Sequence, residues 1–298
     1  MFVLAGVCGI WQLVAFPGAM LPQWEAIWSA AGSMLFCLSA ATILRSGGPF
    51  WIKGAALGAG CGVLLLLNPA LLIVRGVWMA FFWLCERPPL RGSVVCSLTF
   101  LMAAALVCLP WTLRNQRQLG GFFFVRDNFG LYTSNADCAD ARSDTNGRNG
   151  CHVLLQANVN TNEAALVRDM GELNYNRSRQ AIVMQWIQQH PERFRELTLR
   201  RLKEFWFPSP GEEAVYAYSV WTITALSLAG LFFMARGRNK AARGIVAVMV
   251  AYPVVYYFVQ ADPRFRVPIL WMSLLPAGLA IQKAAALVRG SGWKWGAS

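Results

Sequence analysis

Apolar residues in this chain fall in long runs, and a single polar stretch divides those runs into two groups. Runs of about 17–22 apolar residues match the length a helix needs to cross a hydrocarbon core of ~30 Å. They predict eight spans, at about 2–20, 24–44, 51–67, 69–85, 93–113, 217–235, 242–259 and 266–287. Only Asn68 and Pro69 separate the third span from the fourth. The two read either as one broken helix or as two short ones, because proline lacks the backbone donor of a continuous helix.

The polar stretch runs from Arg114 to Tyr216. Its first part, to about Asn160, is rich in turn formers such as Asn128, Gly130, Asn146, Gly147 and Gly150 and reads as irregular, with Phe122–Val125 as a short strand. From Asn162 the pattern turns helical. Ile182, Val183, Trp186 and Ile187 mark a second helix over Arg177–Gln189. His190-Pro191 restarts a third, with proline in its first turn. Phe194, Leu197, Leu202, Phe205 and Trp206 give that helix an apolar stripe among arginines. The stripe suits either the headgroup boundary of a bilayer or the core of the insert itself.

The fold class that follows is an all-α polytopic membrane protein, with about eight transmembrane helices and a mostly helical extracytoplasmic insert. Its parts are residues 1–113, 114–216 and 217–298. Composition agrees: 56% of the 298 residues are hydrophobic and 14% charged, where soluble domains carry about 25% charged residues. The net charge is +12. With the first span running outward, the cytoplasmic loops collect Arg45, Lys53, Arg87, Arg91, Arg236, Arg238, Lys240, Arg243, Lys283, Arg289 and Lys294. The insert is then outside and nearly neutral. This is the positive-inside pattern of an inner-membrane protein. The same scatter over short loops argues against nucleic acid as a partner, which needs basic residues gathered on one face. Arg75 alone intrudes within a span, where a charge snorkels outward or faces a polar cavity. The N-terminus lacks a basic start and a cleavage site and opens directly in a span.

Of eight cysteines, six lie in spans and behave as small apolar residues. Cys138 and Cys151 flank a loop in the insert. An outward location is oxidising, so a Cys138–Cys151 disulfide is expected. Asp137, Asp140 and Asp144 in that region suggest a solvated loop more than a metal site.

Three segments together resemble a known family. The first is Pro110-Trp111-Thr112-Leu113-Arg114-Asn115, followed by Phe124-Val125-Arg126-Asp127-Asn128-Phe129-Gly130-Leu131. The second is His190-Pro191-Glu192-Arg193-Phe194, running into Leu199-Arg200-Arg201-Leu202-Lys203-Glu204-Phe205-Trp206. The third is Asp262-Pro263-Arg264-Phe265-Arg266-Val267-Pro268. The set is similar to bacterial membrane glycosyltransferases of the C-type clan, among them protein mannosyltransferases and aminoarabinose lipid A transferases. The resemblance implies sugar transfer, with inversion, from a polyprenyl-phosphate carrier to a lipid, glycan or protein acceptor at the outer face. It also implies an acid in the first external loop, acting as general base or holding a divalent metal ion. No cofactor is otherwise assigned. This chain has no acid before Glu25, and it opens where the family's later spans open. A truncated enzyme is the first expectation; a half-enzyme needing a partner subunit and a degenerate relative are the others.

Arg264 and Arg266 sit two apart in a short outer loop, where forked, always-charged side chains suit a carrier phosphate. Asp262 is placed to orient one of them or to cap the following helix. Arg114 and Arg117 follow a span directly and serve phosphate contact or plain interfacial anchoring. Glu25 is the residual candidate for a catalytic base, although its position does not match the family's acid. Besides the polyprenyl-phosphate-linked sugar and membrane lipids, a partner subunit is an expected contact. Alternative readings are a transporter or flippase of lipid-linked glycans, a non-catalytic membrane subunit, and a ligase with a large external loop.

Overall fold

The computed structural model describes residues 24–86, 88–123, 160–210, 214–237, 240–259 and 265–288, together with positions 125, 133, 137, 157 and 262. The first predicted span, Cys138, Cys151 and Arg264 lie outside the described residues. Four apolar helices come first: α1 (Trp24–Arg45), α2 (Phe50–Leu67), α3 (Leu71–Glu86) and α4 (Leu90–Leu119). The insert supplies α5 (Thr161–Met170), α6 (Glu172–Gln189) and α7 (Pro191–Trp206). The chain then returns to apolar helices with α8 (Ala214–Arg236), α9 (Lys240–Ala251), the single turn α10 (Val254–Tyr257) and α11 (Val267–Val288). Among the described residues there is no strand. Five of these helices, α1, α2, α4, α8 and α11, are long and apolar enough to cross a membrane, and α3 and α9–α10 are shorter apolar segments. The chain is an all-α polytopic membrane protein.

Four local readings are settled by identifiable groups. Asn68 and Pro69 separate two helices: the Asn68 carbonyl accepts from Leu71 N, and its side chain accepts from Ala70 N. The seventh span is interrupted, with Tyr252 and Pro253 in a turn between α9 and α10. The fifth continues to Leu119 and stops at Gly120, whose φ of 72° ends the helix. Arg114 and Arg117 therefore stand on a helix rather than in a loop. Positions 122, 123 and 125 form no strand. The Val125 carbonyl is taken instead by two side chains of α4, Trp111 Nε1 at 3.2 Å and Asn115 Nδ2 at 3.3 Å.

Two backbone contacts set the arrangement of the bundle. Gly54, Gly58 and Gly62 recur every fourth residue along one face of α2. A Cβ at Gly54 or Gly58 would run into the backbone of Cys96 or Phe100, and one at Gly62 would meet Ala104 and Val107. The register advances together along both helices, so α2 and α4 run parallel, with α3 as the return. Gly230 of α8 meets the Pro276 carbonyl of α11 with equal closeness. Thr224, two turns earlier on α8, pairs with Arg266 at the start of α11. These helices are parallel too, and α9–α10 returns between them. Small residues are what lets helices approach in lipid, where packing gains no hydrophobic free energy.

The ends of the bundle follow from this. The side where α4 ends and α8 begins carries α5–α7 and is here termed the insert end. The first turns of α1, α3 and α11 lie on the same side. At the opposite end Lys53 donates to the carbonyls of Leu44 and Ser46, at 3.3 and 2.5 Å, and so closes the C-terminus of α1. In the middle, Ser33 of α1 donates to the Pro268 carbonyl and accepts from Trp271 Nε1, joining the two halves of the bundle.

Gly58→Ala is expected to destabilise the purified protein by about 1–3 kcal/mol, the usual cost of overpacking a close contact. Gly60 lies on the same helix, but its substituent would meet nothing within 4 Å. Gly60→Ala should be neutral, or stabilising by up to about 1 kcal/mol from helix propensity. Thermal unfolding of both variants in detergent checks the contrast; equal effects would refute the contact.

Candidate functional site

The insert docks on the bundle through α7. His190 closes α6, its ring stacked on Trp186 at 5.1 Å, and Pro191 starts α7 where its missing N–H costs nothing. The outer face of α7 is laced by its own ion pairs: Arg193 with Glu196 at 2.5 Å, Arg195 with Glu192 at 2.6 Å, and Arg200 with Glu196. Hydrogen bonding from Arg193 holds the exposed Glu196 carboxyl below its usual range. Of the apolar stripe, Leu197 and Phe205 are buried in the protein, while Leu202 and the neighbouring Leu199 stay exposed. The stripe thus packs largely on the insert and the bundle.

Beneath α7 lies a fixed polar and aromatic junction. Arg266 is 4% exposed. Its Nη1 donates to the carbonyls of Phe205 and Trp206 at 3.3 and 3.4 Å, and its Nη2 donates to Thr224 Oγ1 at 2.7 Å. The guanidinium also stands 5.1 Å over the Trp206 ring. A cation here meets the negative end of the α7 dipole and two carbonyls that no helical N–H can reach. Burial lowers the Arg266 pKa to about 10, and the side chain keeps its charge at neutral pH. Trp206 Nε1 donates to Tyr257 OH at 2.9 Å. Phe205, Tyr256 and Phe265 stack in sequence, the last two only 4.3 Å apart. Glu204 accepts from the backbone N and the hydroxyl of Ser209, shaping the turn that leads to α8.

A second anchor is Arg201, buried on the inner side of α7 and paired with Asp137 at 2.8 Å. Asp137 is therefore not a solvated loop residue. Burial pushes its carboxyl up to about 6, against the opposing pull of Arg201. Within the insert, Glu163 of α5 takes a hydrogen bond from Tyr175 OH at 2.5 Å and an ion pair from Arg179, tying α5 to α6.

The candidate site residues divide accordingly. Arg266 is committed to α7, and among the described residues its hydrogen bonds go to the carbonyls of Phe205 and Trp206 and to Thr224. The Asp262 carbonyl accepts from Phe265 N in the turn before α11. Arg114 is exposed, with its guanidinium 4.8 Å over the Trp111 ring and a long 3.4 Å bond to Asn115. Among the described residues these are its contacts, at the insert end. Arg117 lies in the last turn of the same helix, exposed as well. No partner is shared between Arg114 and Arg266. Glu25 sits in the first turn of α1, also at the insert end. Among the described residues no three potential metal ligands come together. The roles of Thr224 and Arg201 carry no sequence signal, because each depends on a partner far away in the chain.

No family model matches the chain, and neither a curated protein nor a solved structure does.

Two outcomes test this junction. Replacing Arg266 by Met leaves the Phe205 and Trp206 carbonyls unanswered, a loss of about 1.5–3 kcal/mol for a charged hydrogen-bonding group. Amide exchange at Phe207 and Ser209 should accelerate at least tenfold, while exchange in α2 stays unchanged. The second outcome concerns pH. Asp137 binds its proton more tightly folded, near 6, than at its ordinary value of 3.8. Its stabilising contribution is then complete below about pH 4 and lost as pH rises through about 6. Melting curves between pH 4 and 7 should show this slope in the wild type and a flatter one in Asp137→Asn.

Proposed function

We propose that the protein transfers a sugar from a polyprenyl-phosphate carrier to an acceptor at the membrane face that bears the insert. The observation that carries this reading is Arg114, an exposed guanidinium preset over Trp111 at the end of a spanning helix. Arg264, outside the described residues, precedes the start of α11 by three positions in the sequence. With Arg266 engaged beneath α7, these two arginines are the carrier-phosphate ligands in this reading. In the transfer the bond from the sugar C1 to the phosphate oxygen breaks, and a bond from C1 to the acceptor oxygen forms. The electron pair of the broken bond stays on the phosphate, where fixed arginines stabilise the growing charge. The acceptor proton passes to a base, and Glu25, in the first turn of α1 at that face, is our candidate for it.

A second reading, a lipid-handling transporter or a non-catalytic subunit, draws support from Arg75, a charge fully buried in the bundle.

The test uses the full chain in liposomes with polyprenyl-phosphate-linked sugars and follows release of free polyprenyl phosphate. Release that falls at least tenfold in Arg114→Ala and in Arg264→Ala supports transfer; tenfold corresponds to one charge-assisted contact of about 1.4 kcal/mol. Binding of the carrier with no release from any donor rejects transfer in favour of the second reading.

A further inference from the structure

Arg75 is the one charged side chain whose surroundings the fold described so far does not explain. It lies on α3 between α1 and α2, with no exposed surface. Its Nε, Nη1 and Nη2 are all buried, and among the described residues none has a hydrogen-bond partner beyond a weak contact with the Cys61 thiol. The Phe36 ring covers it at 5.4 Å. Its nearest ionisable neighbours are the thiols of Cys61 and Cys37, which are weak acceptors. A charge held this way costs several kcal/mol unless an opposite charge answers it.

The described helices around it have little to offer as that answer. The only acids on α1, α2 and α3 are Glu25 and Glu86. Each is eleven positions along its helix from the Arg75 level, at Phe36 or at Arg75 itself, or about 16 Å at 1.5 Å per residue. Residues 1–23 contain no acid. Arg75 stands four positions after Leu71, so it lies about 6 Å below the insert end.

We infer that Arg75 is the anchor of an intramembrane oxyanion site, which takes a phosphate group that enters from the insert end beside the Asn68–Pro69 turn. This inference does not rest on sugar transfer. A guanidinium with free edge donors matches the oxygens of a phosphate. The carboxylate of a partner helix fits less well. Phe36 and Cys37 on α1, Cys61 on α2, and the fully buried Leu71 and Val74 of α3 enclose the group. A side chain from the bundle perimeter would have to pass through that packing. A phosphate on a thin lipid tail, or a free one, needs only an opening at the helix ends.

The full chain is purified in a maltoside detergent, which contributes no phosphate. Melting temperature is read with added polyprenyl phosphate or with inorganic phosphate, for the wild type, Arg75→Lys and Arg75→Met. The wild type should be stabilised, Arg75→Lys partly so, and Arg75→Met not at all, with phosphate affinity down at least tenfold. Arg114→Ala and Arg264→Ala should keep the shift, which separates this site from the one proposed for transfer. Stabilisation by inorganic phosphate assigns a soluble anion, and stabilisation by the lipid alone assigns a headgroup; both uphold the site. An unresponsive wild type, or an equal response in a folded Arg75→Met, overturns it. So does native mass spectrometry showing a second polypeptide held through Arg75 with no phosphate adduct.

Discussion

The close approach of helix backbones at glycine is the constraint on which the rest of this structure depends. In lipid, one apolar side chain gains nothing by touching another in place of an acyl chain, so helices associate through tight packing and hydrogen bonds. Gly54, Gly58 and Gly62 remove the side chains that would hold α2 away from α4. Gly230 does the same for α8 and α11. Both pairs are parallel, which obliges a return helix between the members of each. The short α3 and the broken α9–α10 fill those places. Even the position of Arg75 follows, since α3 is carried into the interior by the pair it connects.

Cations at helix ends form the second layer of organisation. Lys53 closes α1 at one end of the bundle, and Arg266 closes α7 at the other. Each replaces contacts that water would otherwise make with the final carbonyls of a helix. The arrangement explains why a basic residue in a short loop need not be a ligand. Arg266 has the charge and the forked geometry of a phosphate binder, yet those properties serve the end of a neighbouring helix. Arg114, also near a helix end, meets no such carbonyls among the described residues and is exposed.

Much of the fold was legible in the sequence because bilayer thickness imposes a length on every span and proline imposes a break. The restart at Pro191 was read from a single residue, and Pro69 marked a break without deciding between one broken helix and two short ones. What escaped the sequence was contact across distance. The Gly54-Gly58-Gly62 row is visible as spacing, but its partner on α4 is not. Asp137 reads as a loop acid among other loop acids, and only its meeting with Arg201 makes it a buried anchor. The same holds for the candidate site: residue types and their end of the bundle were legible, while the engagement of Arg266 required knowing that α7 ends beside α11.

The parallel pairing of α2 with α4 also bears on how the protein is made. A chain enters the membrane from its N-terminus, so the glycine face of α2 is in place two crossings before the surface that fits it. Until α4 arrives, that face has only lipid or an assisting protein against it. The wait recurs at α8, whose Gly230 is met only after α9 and α10 have returned and α11 has followed. The carbonyls of Phe205 and Trp206, by contrast, are synthesised before Arg266, so α11 closes onto acceptors that precede it in the chain. The Arg266 contact with α7 therefore waits for α11, and a chain that stalls before it leaves those two carbonyls unanswered.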